Sequence, residues 1–441
     1  MMCAMRWTVW RNPWQPHYLG FFLLMGAMTL NPPPTLGQAS YQARFEMERS
    51  EYLLGEPIFC DFVIRNTGSQ LFGFLYRSPS RVLAQDHEQE PHFLVRNSRG
   101  VNLPDSGPQP CGGARGTVVY GSVTLPAGQT HTERWLLNQW ARFTSPGRFQ
   151  VRAERRLTLR ALNPQTGEFL EKPAAFALAL DELSFEVKSS TAAQIETVFK
   201  PYLEKIRNPK DPDPAEAVSV VTTLPKAFFM EQLVAMANTI KPDRWDRRDA
   251  LNGLARLDTP TAWQAILKTA RGAMPTTNSE GKASTEGVDD AVRSYAVLLL
   301  AERADSAFLP TLVEMLSRSA EPLRGDILHA LGFFHDPRAY RTLFDYLHAA
   351  QVTDRMNSIL GLKNLGTREV IPPLIAMLND PEPQVRQVAN FALEGLTGHS
   401  LALPANPSRL EWERAENNWH AWWREHGGTF VPPRPAACHD W

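Results

Sequence analysis

The chain has 441 residues, with 46 Lys and Arg against 47 Asp and Glu, a formal net charge of −1, and 43% apolar residues. This balance excludes the basic footprint of a nucleic-acid binder and the low-apolar composition of a disordered chain. The length exceeds what one core can organise and implies two or three domains.

Residues 1–39 contain no acid. Arg6 and Arg11 precede an uncharged, mostly apolar run from Leu19 to Leu30, and Gly37 and Ala39 place small residues before Ser40. That order predicts a secretory signal peptide, and hence an exported protein in the periplasm or outside the cell. An uncleaved amino-terminal anchor is the alternative. The run is shorter than the ~20 residues of a comfortable bilayer span, and no membrane span is expected after cleavage. Cleavage removes Cys3 and leaves Cys60, Cys111 and Cys438. An exported protein permits disulfides, and Cys60 with Cys111 is the pair lying within one domain, its geometry left open.

Residues 41–188 read as strands. Ile58, Cys60, Phe62 and Ile64 share one parity, as do Phe149, Val151 and Ala153, then Leu157 and Leu159, then Leu183, Phe185 and Val187. Alternation of this kind marks strands with one buried face. Turn signals at Asn66 to Gly68, Pro126 to Gly128 and Ser145 to Gly147 separate them. About eight short strands predict a two-sheet sandwich. The segment from Tyr52 to Ile58 followed by Val63 to Asn66, and the segment Pro146 to Val151, resemble strands of bacterial immunoglobulin-like domains.

Helical spacing takes over at residue 190. Thr191 and Gln194 have the spacing of a capping box, and Pro201, Pro209, Pro212 and Pro214 are expected to break the first helices. Arg293, Arg324, Arg355 and Arg386 then recur every 31 residues. Leu300, Leu331, Leu362 and Leu393 keep the same beat, as do Leu312, Leu343 and Leu374, and Leu316, Leu347 and Leu378. A fixed period in this range is the mark of a solenoid, whose units bury their apolar faces only by stacking. Each unit splits into two helices, and about six units, the last incomplete, fill residues 190–400. A polar insert at 272–288 separates the earlier units and reads as a mobile loop.

The turn Asp336, Pro337, Arg338, the prolines Pro310 and Pro372, and the run from Asp380 to Arg386 resemble the short HEAT repeats named after phycobilisome (PBS) lyases. The fold class is therefore read as an immunoglobulin-like β-sandwich followed by a HEAT-like α-solenoid. The resemblance implies protein contact along the solenoid, with the second helices lining its concave side. Glu314, Met315, Asp345, Tyr346 and Met377 form a row on those helices and are the candidate partner surface. The resemblance also implies that the arginines form a structural ladder, each paired with an acid of the preceding turn, such as Asp305 with Arg324 and Asp336 with Arg355; an anion-binding stripe is the alternative.

Residues 401–426 carry Trp412, Trp419, Trp422 and Trp423. The first, second and fourth share a helical face and are expected to cap the stack; an aromatic platform for sugar is the alternative. Residues 427–441 read as a tail. No nucleophile elbow, phosphate loop or zinc-binding helix motif occurs. His87, Glu88, Glu90 and His92 are the densest group of possible metal ligands and read as a polar loop. No catalytic, cofactor-binding or metal residue is assigned, and no cofactor is expected. The reading is an exported, non-enzymatic scaffold that holds a protein or peptide partner and no nucleic acid. The alternatives are an envelope enzyme with a site at the domain junction, or carbohydrate binding through the tryptophans. Oligomeric state is left open.

Overall fold

The computed structural model describes residues 40–77, 90–104, 120–163, 166–208, 210–211, 214–239, 247–272, 276–277, 283–284 and 290–432. The expected signal peptide, Cys3, Cys111, Cys438, His87, Glu88, Pro209, Pro212, most of the 272–288 insert and the end of the tail lie outside these residues.

Among the described residues, nine strands make two sheets in the amino-terminal half, and Thr276–Thr277 pairs antiparallel with Ala283–Ser284 as a short two-stranded ladder within the 272–288 insert. β1 (Tyr41–Met47), β3 (Phe59–Asn66) and β7 (Thr130–Leu136) pair antiparallel in the order β1-β3-β7. The larger sheet runs β2 (Glu51–Leu53), β9 (Phe169–Lys188), β8 (Gly147–Leu162), β4 (Phe72–Arg77) and β6 (Tyr120–Leu125), with β5 (His92–Asn97) also on β8. All its pairs are antiparallel except β2 with β9. One apolar core joins the sheets: Phe45 of the small sheet packs on its neighbour Phe62 and lies edge-on to Phe93 of the large sheet at 5.6 Å.

β8 is a single strand of 16 residues where the sequence pattern breaks after Ala153. Arg155 causes the break. It takes a core-facing position, 2% exposed, between Phe149, Val151 and Ala153 on one side and Leu157 and Leu159 on the other. Its Nη1 donates to Glu133 Oε2 at 2.7 Å, and its guanidinium lies over the Phe62 ring at 4.4 Å. A charge survives in a core only when it is paired in this way. Burial pushes the Glu133 carboxyl up, but His131 and Arg155 outweigh burial and hold it below its usual value.

The helices begin with α1 (Ala192–Arg207). Thr191 accepts from Gln194 N at 3.3 Å while Gln194 Oε1 accepts from Thr191 N at 2.8 Å. α1 continues through Pro201, contrary to expectation. Five hairpins follow: α2 (Ala215–Thr223) with α3 (Met230–Asn238), α4 (Arg247–Leu257) with α5 (Pro260–Arg271), α6 (Asp290–Arg303) with α7 (Leu309–Leu316), α8 (Leu323–Leu331) with α9 (Pro337–Tyr346), and α10 (Val352–Leu365) with α11 (Ile371–Ala376). α12 (Pro383–Thr397) adds half a unit, and α13 (Arg409–His426) closes the end. The leucine columns are the core: Leu300, Leu331, Leu362 and Leu393, and Leu312, Leu343 and Leu374, are all 0% exposed. Among the described residues no helix is long and apolar enough to cross a membrane.

The sandwich and solenoid share apolar packing. Phe59 of β3 and Leu136 of β7 belong to the same cluster as Ile195 and Phe199 of α1. On the second face of β3, which its sequence left mixed, Phe59 thus packs with α1, while Arg65 stays exposed. Gln139 Nε2 donates to Ser219 Oγ at 3.0 Å across the same junction.

Candidate functional surface

The first helices of successive units, α6, α8, α10 and α12, lie directly against one another, while α7, α9 and α11 stand farther apart. Glycines permit the close approach: a Cβ on Gly332 would strike the Gly361 carbonyl, and one on Gly361 would meet the Leu328 carbonyl at 2.5 Å. A two-layer stack curves toward its tighter layer, so the first helices line the inside. This corrects the expectation that the second helices do.

The candidate partner row on the second helices is divided by the packing. Met315 and Met377 are buried, 7% and 6% exposed, and fill gaps between units, a role that suits a pliant thioether. Tyr346 is half-buried, while Glu314 and Asp345 are exposed. Glu314 pairs with Arg318 at 2.6 Å. On the inner layer, by contrast, Tyr295, His329, Asn357, Lys363, Asn364 and Phe391 are half-exposed or exposed. Phe391 is 57% exposed, with Lys363 Nζ 5.4 Å from its ring centre. Asn364 Nδ2 donates to His329 Nε2 at 2.9 Å, which requires a neutral imidazole on that nitrogen. Burial likewise pushes the His329 pKa down and the Tyr295 hydroxyl up.

The strip ends in a shallow cleft of about 320 Å³ between α12 and the segment 401–407. Phe391, Leu403, Pro404, Ala405, Pro407 and Trp412 give it an apolar wall. Glu394 fixes the lip by accepting from Leu401 N and Ser400 Oγ, each at 3.2 Å.

Arg293, Arg324 and Arg355 form ion pairs, but not with the expected acids, and Arg386 bonds to backbone carbonyls instead. Arg324 Nε donates to Asp354 at 2.8 Å, and Arg355 grips Asp380 with two bonds of 2.8 and 2.9 Å, so each reaches forward to the next unit. Asp305 and Asp336 are already used as helix caps, accepting from Ala307 N and Arg338 N. The arginines also donate to the ends of the preceding second helices: Arg293 to Ala270 O, Arg324 to Ser319 O, Arg355 to Ala349 O, and Arg386 to Asp380 O. A cation there satisfies orphan carbonyls and opposes the helix dipole. With their guanidiniums occupied in this way, the arginines make joints between units and do not form an open anion stripe.

Trp412 and Trp419 are buried, and Trp419 Nε1 donates to Asn390 Oδ1 at 2.9 Å. Trp422 and Trp423 are half-buried. His399 and His426 stack on Trp422 at 5.6 and 4.9 Å, and Phe430 packs edge-on against it. The rings pack on one another and on α12, an arrangement that suits a cap better than a sugar platform. Cys60 is fully buried and has no disulfide partner among the described residues, with Cys111 outside them. His92 is exposed on β5, and among the described residues no three metal-ligating side chains converge.

The family model for HEAT repeats matches residues 282–356, and that for the PBS lyase HEAT-like repeat matches residues 354–380. No curated protein matches the chain. Among solved structures it is similar to a β-glucosidase from Erythrobacter marinus, at 13% identity and TM-score 0.17, covering 34% of this chain and only 16% of that one. It is also similar to a designed armadillo repeat protein in complex with the peptide (KR)4, at 14% identity and TM-score 0.25, covering 46% of this chain and 94% of that one. A third is Spo0M, a sporulation control protein from Bacillus subtilis, at 14% identity and TM-score 0.16, covering 39% of this chain and 56% of that one. Scores this low carry no argument. The HEAT-repeat matches thus span residues 282–380, where the chain folds as stacked helical hairpins.

Proposed function

We propose that this is an exported, non-enzymatic scaffold that holds a protein or peptide segment along the inner face of its solenoid. The observation that carries the reading is the open strip on α6, α8, α10 and α12. It presents Tyr295, Asn357, Lys363 and Phe391 to solvent on a layer whose opposite side is sealed by the second helices. A prebuilt surface of this kind binds an extended segment with little ordering cost on the protein's side. The cleft beside Phe391 suits an apolar side chain of that segment. Export rests on the acid-free leader and its small residues before Ser40.

Photo-crosslinking tests the face. A crosslinker at Asn357 or Phe391 should capture peptides selected from a displayed library against the full chain, and one at the outward Arg341 should not. Equal capture from Arg341 would sink the assignment. Export is checked by sequencing the amino terminus of the mature protein in the fractionated source cell: a cytoplasmic chain that still carries its leader would refute it.

A further inference from the structure

The outer face of the long β8–β9 hairpin carries an exposed apolar row. Phe176, Leu178 and Leu180 of β9 are 75%, 51% and 48% exposed, while the alternate residues Ala177 and Ala179 are buried in the core. Such a row on a sheet face, with charges around it, marks a contact surface. At this level the edge of β9 is already occupied. The Tyr41 hydroxyl donates to Phe176 O at 3.2 Å and accepts from Leu178 N at 3.4 Å. A partner strand cannot add there, and the face is the open side. Across it, Leu178 stands opposite Arg156 of β8, and Leu180 stands opposite Glu154. Arg156 and Glu154 form an ion pair at 3.1 Å, with the arginine largely in solvent.

We propose that this face is a self-association surface, on which a second copy of the chain packs about a two-fold axis. The charge pattern selects that occupant. Arg152 stands opposite Glu182, and Arg156 is matched by Glu154, so the face lacks the one-signed basic field that draws a protein to an anionic membrane. The pattern is instead complementary to itself. An axis lying in the face, perpendicular to the strands and level with Ala179, sets each cross-strand row on the next. Leu178 then lies on the partner's Leu180, and Arg156 on the partner's Glu154. Each of these arginines sits between two carboxylates, its own chain's and the partner's, while the leucines leave water together. One row further out, Phe176 meets the stem of the partner's Glu182 beside the partner's Arg152, a cation that suits an aromatic face. Two sheets packed in this way keep their strands within about 30° of alignment. The surface is separate from the inner face of the solenoid, so either reading can fail without the other.

Sedimentation equilibrium of the full chain tests this. The native chain should dimerise reversibly as its concentration rises, and a monomer at every concentration overturns the proposal. Leu178→Asp and Arg156→Glu, both at exposed positions, should each raise the dissociation constant at least about tenfold, since one puts a charge in the apolar contact and the other sets like charges together. Far-ultraviolet circular dichroism checks that each variant is folded. Combining Arg156→Glu with Glu154→Arg exchanges the signs of the pair and should return the constant to within about threefold of native. A dimer indifferent to both single changes, or a double variant that stays as weak as Arg156→Glu, overturns the two-fold pairing. A chain that remains monomeric and co-sediments with phosphatidylglycerol vesicles assigns the face to a membrane and likewise overturns it.

Discussion

Four residues at corresponding places in consecutive units have left-handed backbone: Asp258 at φ 50°, Ala304 at 53°, His335 at 45° and Gly366 at 61°. Each ends a first helix where the chain must turn sharply into the second. Only one is glycine, so the turn is imposed by stacking and not by local preference. Adding a Cβ at Gly366 should lower stability by about 1 kcal/mol, while Ala304→Gly should be neutral or slightly stabilising, because strain relief and greater unfolded-state freedom oppose each other; urea unfolding of the two variants measures both. Asp336 offers a second test. Its bonds to the Arg338 side chain and backbone hold its carboxyl at about 2, against 3.8 in the unfolded chain. A depressed carboxyl contributes fully above about pH 4 and loses that contribution as pH falls toward 2. The stability lead of the native chain over Asp336→Asn should therefore shrink across that window. Because the pair is exposed, the lead should also shrink in molar salt. A pH-independent difference between the two melting temperatures would contradict this.

Among the elements, the solenoid's joints matter most. Arg355 ties three together: its own helix α10, the carbonyls after α9, and Asp380 before α12. Replacing it with Met leaves a buried carboxylate without its counter-charge, though still bonded to Glu382 N, and takes the guanidinium from two carbonyls, and should cost about 3–5 kcal/mol. Arg338→Met, at an exposed ion pair, should change little. Comparable losses from both would mean the ladder is not a joint. The 31-residue period made the arginines legible as a set, and it made the leucine columns legible as core. It could not name their partners. Asp354 and Asp380 stand 30 and 25 residues away from their arginines and have no common phase. Nor could it say which layer faces inward. That depends on Gly332 meeting Gly361, a contact between backbones with no side-chain signature.

At the scale of the whole molecule, the two halves share a core through Phe59, Leu136, Ile195 and Phe199. Phe59→Ala should cost about 3–5 kcal/mol and lower the helical and tryptophan signals of unfolding together. If the helical signal keeps its midpoint, the halves fold independently. The sequence by itself determined the order of the architecture, strands and then stacked hairpins, because periods of two, of helical spacing and of 31 residues each reflect a burial that repeats locally along the chain. It also exposed Thr191 and Gln194 as a cap, since such caps are made by near neighbours. Only the tertiary structure decided that Arg155 belongs in the core, that Phe59 on the second face of β3 packs with α1, that Met315 and Met377 are buried, and that the first helices line the inside. Each of those depends on which distant segment arrives at a given face, and a one-dimensional pattern carries no record of what lies across the gap.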